Sequence, residues 1–443
     1  MTERFFKLSE NNTNVKTEVM AGITTFMTMA YILIVNPLTL SATGMDFGAV
    51  FTATALSAII ATLVMAFIAN LPFALAPGMG LNAFFAYTVV LGSMQASWQF
   101  ALTAVFLEGI IFIILTFLNV REAIINAIPL ALKKAVSVGI GLFIAFIGLF
   151  NSGIVVTGMF HIGDGKLDGI PVKIGHVTSG PALLAIIGLI ITGFLLAKKV
   201  KGALLYGILI TTIIGIPMGV TQLPADLKFV STPPSLQKIF FKFDFSEIFS
   251  LKMFLVLFSF LFVDMFDTVG TLVGVSTKAG MLDENGKVPR AKQALFADAI
   301  GTTIGAILGT STVTTYVESA SGVAEGGRTG LTALSTAGMF AIALFLSPLF
   351  IMIPSAATAP ALILVGLFMM SPIKEINFDD FTEAIPAFLT IIMMPLAYSI
   401  AEGIVFGMTS YVLLKLLTGR YKEASPLLYI LSILFVLKFI FIA

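Results

Sequence analysis

The stretch Ala76-Pro77-Gly78-Met79-Gly80-Leu81-Asn82-Ala83-Phe84-Phe85 interrupts a segment that is otherwise apolar and long enough to cross a membrane. Proline removes a backbone donor, and glycine permits extended or left-handed backbone. We therefore predict that a helix begins only near Asn82, after a non-helical piece.

A second interrupted stretch lies about 235 residues later and reads Gly309-Thr310-Ser311-Thr312-Val313-Thr314-Thr315-Tyr316-Val317-Glu318-Ser319-Ala320-Ser321-Gly322. Its run of threonine and valine favours a short extended piece before a helix near Glu318. Each stretch thus offers free backbone groups and a helix start, with Asn82 and Glu318 at matching places. Proline and glycine also kink packed membrane helices, but a matched pair of breaks favours a binding site.

Composition places the whole chain in a membrane. Of 443 residues, 58% are hydrophobic and only 11% are charged, whereas soluble domains carry about 25% charged residues. The net charge of +1 excludes the clustered basic face of a nucleic-acid-binding protein. With no cysteine and two histidines, His161 and His176, the sequence predicts no metal centre and no cofactor.

Spans of about 20 residues can be marked along the chain. Twelve are predicted near 18–37, 48–69, 99–119, 133–151, 180–197, 203–220, 251–275, 291–308, 331–352, 355–371, 380–396 and 398–418. The interrupted stretches 73–92 and 310–327 bring the number to fourteen, and 426–442 either spans once more or lies in the interface. Arg4, Lys7 and Lys16 predict a cytoplasmic N-terminus in a multi-pass cell-membrane protein.

The two interrupted stretches occupy the third span of each half. Seven spans separate them, and because seven is odd the halves run in opposite directions across the membrane. Paired interruptions at matching places of inverted halves are the best sequence indication of a transporter's midplane site. The physical reason is that unpaired backbone is tolerated at depth only where it lines a cavity.

Ionisable residues within the predicted spans are nearly all acidic: Glu108, Asp264, Asp267, Asp298, Glu318 and Glu402. No lysine or arginine lies near the centre of a predicted span. Such residues are costly in a membrane and are candidates for function. Carboxylates suit a cation, a proton or the N–H groups of a neutral ligand, and they argue against a simple anion carrier.

Individual acidic residues leave alternatives open. Asp264 and Asp267 lie three residues apart, on one helical face, so at least one needs a polar partner, a ligand or a proton. Both also fit a structural bridge between helices. Asp298 fits a coupling residue or a helix–helix hydrogen bond equally well, and packing is the favoured interpretation of Glu108 and Glu402.

The motifs together resemble the AzgA-type hypoxanthine/adenine/guanine permeases, a branch of the nucleobase/ascorbate transporters. The resemblance covers essentially the whole chain and is carried by Ala21-Gly22-Ile23-Thr24-Thr25-Phe26, residues 74–85, residues 264–274 and residues 312–327 with Val317-Glu318-Ser319. It implies an all-α polytopic protein of seven-plus-seven inverted repeats, with short antiparallel strands in the two broken segments.

The resemblance also implies a division of the chain. A core group comprises 18–119 and 251–353, a gate group comprises 129–220 and 354–443, and 221–250 links the repeats. It implies elevator-like movement of the core against the gate, and a homodimer.

The site residues follow from the same resemblance, because Asn82, Asp264, Asp267 and Glu318 match positions that bind purine or are essential for its uptake. We predict substrate binding by Asn82, Asp264, Glu318, Gly80 and Thr315, and coupling by Asp267 and Asp298. The predicted function is import of purine nucleobases by symport with a proton, sodium remaining open.

Other functions remain possible at this stage. An anion carrier or a uracil/xanthine permease of the same fold is the strongest rival, although related uracil and xanthine permeases usually have glutamate where this chain has Asp264. A channel is disfavoured because the broken segments form an opposed pair. A membrane enzyme is disfavoured because the chain lacks a nucleophile–base pair.

Overall fold

The architecture is that of a computed structural model. It describes residues 2–92, 94–118, 129–157, 160–162, 166–168, 172–223, 229–278, 281 and 288–442.

Helices account for most of the described chain. The α-helices are α1 Thr2–Phe6, α2 Val15–Met29, α3 Ile32–Ser41, α4 Phe47–Val64, α5 Met79–Ala83, α6 Trp98–Leu118, α7 Leu130–Asn151, α8 Gly180–Ala197, α9 Ala203–Gly215, α10 Leu251–Lys278, α11 Ala291–Leu308, α12 Ser319–Ala324, α13 Gly330–Leu344, α14 Ser347–Ile351, α15 Ser355–Met369, α16 Phe381–Leu396, α17 Ile400–Leu417 and α18 Pro426–Ile442. π-Helical turns at Met65–Ala69 and Phe84–Val90 extend α4 and α5, and 3₁₀ turns lie at Ser371–Glu375 and Tyr421–Glu423.

The helices begin at the residues that local chemistry favours. Asn14 and Asp46 accept hydrogen bonds from the amides of Thr17 and Ala49, both at 3.0 Å, and so cap α2 and α4. The first predicted span is divided between α2 and α3 by a turn at Ala30 and Tyr31, both of which keep right-handed helical dihedral angles. Tyr31 at this turn lies beside the second half of the protein, as described below.

Several helices have the length and apolar composition to cross a membrane. Six such segments are Val15–Ser41, Phe47–Ala69, Trp98–Phe117, Leu130–Asn151, Gly180–Ala197 and Ser355–Glu375, and shorter apolar helices include Gly330–Leu344 and Phe381–Leu396. The chain is therefore a multi-pass membrane protein. The number fourteen, the N-terminal orientation and the role of 426–442 stay predictions.

The described residues include six short strands in three antiparallel pairs. They are β1 Leu75–Pro77, β2 Val155–Val156, β3 Phe160–Ile162, β4 Lys166–Asp168, β5 Lys173–Ile174 and β6 Val313–Thr315. In the connection between α7 and α8, β2 pairs with β5 and β3 pairs with β4. β1 pairs with β6, so the two broken segments meet as expected.

The broken segments differ from prediction in one boundary. α12 begins at Ser319, as predicted from Glu318, but α5 begins at Met79 and not near Asn82. Gly78 has extended backbone (φ −73°, ψ 129°) and already ends the irregular piece. Gly80 has a negative φ within the helix, so its conformational freedom is not used there.

Several helices pack closely on one another. α2 and α4 pack on α13, α4 and α6 pack on α11, and α7 packs on α15 and α16. The division into a core group and a gate group stays a prediction. Residues 229–250 of the predicted linker contact α4 and α6. The Pro234 carbonyl accepts from the Thr52 hydroxyl at 2.8 Å, and the Asp244 amide donates to Thr103 Oγ1 at 2.8 Å.

Candidate functional site

The site is built around the junction of β1 and β6. Leu75 lies opposite Thr315, Ala76 opposite Thr314 and Pro77 opposite Val313. The pairing continues at both ends, where Gly78 N–H donates to Thr312 O and Tyr316 N–H donates to Ala74 O, each at 2.9 Å. β1 from the first half and β6 from the second half therefore supply hydrogen-bond partners for each other's backbone groups.

Two threonines make equivalent hydrogen bonds to the backbone of the two strands. The Thr62 hydroxyl donates to Leu75 O at 3.2 Å and accepts from Leu75 N–H at 3.0 Å. The Thr302 hydroxyl donates to Val313 O at 2.9 Å and accepts from Val313 N–H at 3.2 Å. Each threonine lies in the helix before its own broken segment, so the inverted halves repeat this hydrogen-bonding pattern.

Asn82 links the two halves beside the strands. Its side chain is fully buried, and its Oδ1 accepts a hydrogen bond from the hydroxyl of Ser311, just before β6. In this structure the amide oxygen is therefore engaged within the protein. Its position supports a role in holding the junction.

Gly80 and Thr315, the other two uncharged residues of the predicted binding set, lie at different places. A Cβ placed on Gly80 would lie 2.7 Å from Ile140 Cγ2, so Gly80 permits close packing of α5 on the gate helix α7. Thr315 ends β6 and is 2% exposed. Among the described residues its hydroxyl has no hydrogen-bond partner.

Glu318 follows β6 and is half-buried. The Tyr31 hydroxyl donates to Glu318 Oε1 at 2.7 Å, although Tyr31 lies 287 residues earlier in the chain. Thr28 Oγ1 lies 2.9 Å from Ser321 Oγ and 3.5 Å from Glu318 O. The turn between α2 and α3 thus places two side chains against this acidic residue, a contact that the sequence did not predict.

Asp267 also lies near the junction. It is half-buried, and a Cβ placed on Gly78 would lie 3.7 Å from Asp267 Oδ2. It is within electrostatic range of both Glu318 and Asp298. Asp267 and Glu318 therefore bring carboxylates from α10 and from the second broken segment to one place.

Asp264 and Asp298 form a buried cluster with Thr268, and both carboxyl groups are fully buried. Thr268 Oγ1 lies 3.1 Å from Asp264 Oδ1, 3.0 Å from Asp298 Oδ1 and 2.7 Å from Thr314 Oγ1 on β6. One hydroxyl thus connects two carboxyl groups to the strand junction. The structure brings all of the predicted acidic site residues to this region, and Asp298 interacts electrostatically with Asp267 as well.

Glu108 is a site residue that sequence reasoning missed. We favoured packing for it, but Thr312 Oγ1 donates to Glu108 Oε2 at 2.6 Å, directly before β6. The side chain is fully buried. The sequence indicated Glu108 only as a charged residue in an apolar helix, because its partner Thr312 lies 204 residues away.

Glu18 was also missed, and it has a structural role. This fully buried carboxylate accepts hydrogen bonds from the backbone amides of Arg328, Thr329 and Thr332 at 2.8, 3.2 and 3.1 Å, and from two threonine hydroxyls. It thereby satisfies the start of α13 and ties the first span of one half to the other half.

A cavity of about 190 Å³ lies between the core and gate groups. Its nine lining residues are uncharged: Val35, Leu38, Thr39, Ala42, Tyr87, Asn151, Ser355, Thr358 and Leu362. Tyr87 at its edge makes an edge-to-face contact with Tyr398 of the gate group, with ring centroids 5.8 Å apart. Neutral side chains from both predicted groups thus line this crevice.

Comparison with known proteins shows the family of this chain. Residues 16–406 match the Permease family. The chain belongs to this family. It is 45% identical over 442 residues to the adenine permease AdeP of Escherichia coli, covering 100% of this chain and 96% of the relative. It is 47% identical over 449 residues to the guanine/hypoxanthine permease PbuG of Bacillus subtilis, covering 99% of each.

A solved structure shows the same fold at low identity. The transmembrane domain of the cyanobacterial bicarbonate transporter BicA matches with a TM-score of 0.62 and 15% identity, covering 89% of this chain and 97% of that domain. The chain therefore has the inverted-repeat fold that we predicted. It is a membrane permease and not an enzyme, as expected.

Proposed function

We propose that this protein imports purine nucleobases, namely hypoxanthine, adenine and guanine, by secondary active transport. The observation that carries the proposal is the junction of β1 and β6, where Asp267 and Glu318 present carboxylates beside paired backbone. Two relatives named as purine permeases align with the whole of this chain. A purine is a flat apolar disc with N–H donors, which carboxylate oxygens accept.

The burial of each residue suggests how the roles are divided. The predicted assignment gave substrate contact to Asp264 and coupling to Asp267. Asp267 is half-buried beside the junction, whereas Asp264 is fully buried and bonded to Thr268. We therefore assign ring N–H contacts to Glu318 and Asp267, and assign Asp264 to the buried cluster with Asp298.

The buried cluster is suited to hold the proton for symport. A hydroxyl donates one hydrogen bond and accepts two. Thr268 has three close oxygen neighbours, Asp264, Asp298 and Thr314. All three contacts are hydrogen bonds only if one of the two carboxyl groups carries a proton. Gain or loss of that proton would be transmitted to β6 through Thr314.

The transport movement in this proposal is an elevator-like displacement of the core group against the gate group. The substrate junction lies within the core group, and Gly80 packs against Ile140 of the gate. The neutral crevice lined by Tyr87 is the route to the junction from the predicted outer side. A homodimer, surrounding lipid and a cytoplasmic N-terminus belong to the same proposal.

Uptake of radiolabelled hypoxanthine tests this function in cells that lack their own purine permeases, at pH 5.5 and 7.5. Unlabelled adenine, guanine, xanthine, uracil and sulfate serve as competitors. Saturable uptake that is faster at acid pH and blocked by purines supports the proposal, and D298N should lose the pH dependence. Uptake blocked by sulfate, or no uptake by well-expressed protein, would contradict it.

A further inference from the structure

Tyr31 is not part of the proposed binding or coupling set, yet its hydroxyl contacts the carboxyl group of Glu318 directly. It lies between α2 and α3 and is 1% exposed. Its hydroxyl donates to Glu318 Oε1 at 2.7 Å, a short hydrogen bond to a carboxyl oxygen. A tyrosine buried to this extent needs such a partner for its hydroxyl.

Neighbouring contacts hold both Tyr31 and Glu318 in position for this hydrogen bond. The turn between α2 and α3 holds Tyr31, and Thr28, one turn earlier, lies 2.9 Å from Ser321 Oγ and 3.5 Å from Glu318 O. Ser321 Oγ in turn donates to Glu318 O at 2.6 Å. The first span therefore holds both the backbone and the carboxyl group of Glu318.

We propose that Tyr31 determines purine specificity by occupying one of the two carboxylate oxygens of Glu318. The inference rests on the proposed function. An ionised carboxylate accepts a pair of parallel N–H donors when both of its oxygens face them. With Oε1 engaged by Tyr31, Glu318 accepts a single N–H from the bound base at Oε2.

Hypoxanthine and guanine differ in the number of adjacent N–H donors that they present to a carboxylate. Hypoxanthine and guanine share a ring N1–H, and guanine adds a 2-amino group beside it. A carboxylate with both oxygens available would prefer guanine, because the second N–H finds an acceptor. A carboxylate restricted by Tyr31 gains nothing from the 2-amino group, so the two bases should bind with similar affinity.

Equilibrium binding of both bases to the purified full-length protein tests this. The variants are Y31F and, as a matched control, Y316F, which removes the hydroxyl of another buried tyrosine that donates to Pro77 O at 2.5 Å. Y31F should improve guanine affinity relative to hypoxanthine by on the order of tenfold, as expected for one hydrogen bond to a charged group. Y316F should weaken binding of both bases and leave their ratio unchanged.

Different outcomes separate the two proposals. If the unaltered protein binds no purine, the proposed function fails. If it binds purine and Y31F leaves the guanine-to-hypoxanthine ratio unchanged, the role of Tyr31 is wrong. If Y31F does not fold, the unaltered protein decides: Kd values within about threefold of each other support the role, and guanine binding tighter by tenfold or more overturns it.

Discussion

The hydrogen bonds of Thr302 and Thr62 to the two strands allow the stability of the junction to be tested quantitatively. In T302V a methyl group replaces the hydroxyl at nearly constant volume. Val313 then loses the acceptor for its N–H and the donor to its C=O, which lie 3.2 and 2.9 Å from Thr302 Oγ1. Thr302 and Val313 are fully buried, so no water is at hand to replace the hydroxyl.

The expected loss follows from these two contacts. Leaving one buried donor or acceptor unpaired costs about 1–3 kcal/mol, so T302V should lower the free energy of unfolding by about 2–6 kcal/mol. T62V should cost a similar amount, because its hydroxyl makes the same two contacts to Leu75. Agreement between the two variants would test the inverted repeat as well as the junction.

Reversible unfolding in mixed detergent–SDS micelles, followed by tryptophan and tyrosine fluorescence, measures the change. T302S keeps the hydroxyl and should retain most of the stability. T303V is a neighbouring control, because the Thr303 hydroxyl donates to Ala299 O one turn earlier in its own helix. Unfolding of T302V within 0.5 kcal/mol of the parent, a change about as small as that of an ordinary surface substitution, would refute the reasoning.

Three further predictions concern other parts of the molecule. E18Q should lower the free energy of unfolding by about 3 kcal/mol or more, since at least two hydrogen bonds to a charged acceptor are weakened; an unchanged thermal midpoint in detergent would contradict this. Arg420 donates to Asp380 and Glu423 at 2.7 Å, and these bonds hold the pKa of Asp380 below its usual range and lower that of Glu423 to about 2. Because both folded pKa values are depressed, their contribution is present at neutral pH and is lost as pH falls from about 4 towards 2; thermal midpoints measured across that range should fall, and R420Q should flatten the decline. G80A should slow uptake because its Cβ would lie 2.7 Å from Ile140 Cγ2, and the double variant G80A/I140A should recover part of the rate; no recovery would mean that the contact does not limit movement.

The broken segments show what the sequence can predict about this fold. Pro77, Gly78 and the threonine-rich stretch before Glu318 specify local backbone, and both strands and α12 lie where these residues indicate. The strands β2 to β5 were not predicted, because strands of two or three residues are too short for an alternating pattern to be recognised in the sequence. Boundaries such as the start of α5 depend on one or two dihedral angles.

The contacts within the site were less predictable. Asn82, Asp267 and Glu318 could be singled out because polar groups in an apolar chain are costly. Their partners could not, since Ser311 and Tyr31 lie 229 and 287 residues away and meet them only after the halves pack together. Glu108 was judged a packing residue for the same reason. The sequence therefore indicated which residues are unusual, and the tertiary structure showed what each one contacts.

The proposed function requires the junction beside Glu318 and Asp267 to bind a purine. Equilibrium binding of radiolabelled hypoxanthine to the purified protein tests this requirement, comparing E318Q and D267N with E402Q, which alters an acidic residue at the start of the gate helix α17. We expect affinity at least about tenfold weaker for E318Q and D267N, because each loses a hydrogen bond to a charged acceptor, and little change for E402Q. Binding by E318Q and D267N that equals binding by the parent protein would contradict it.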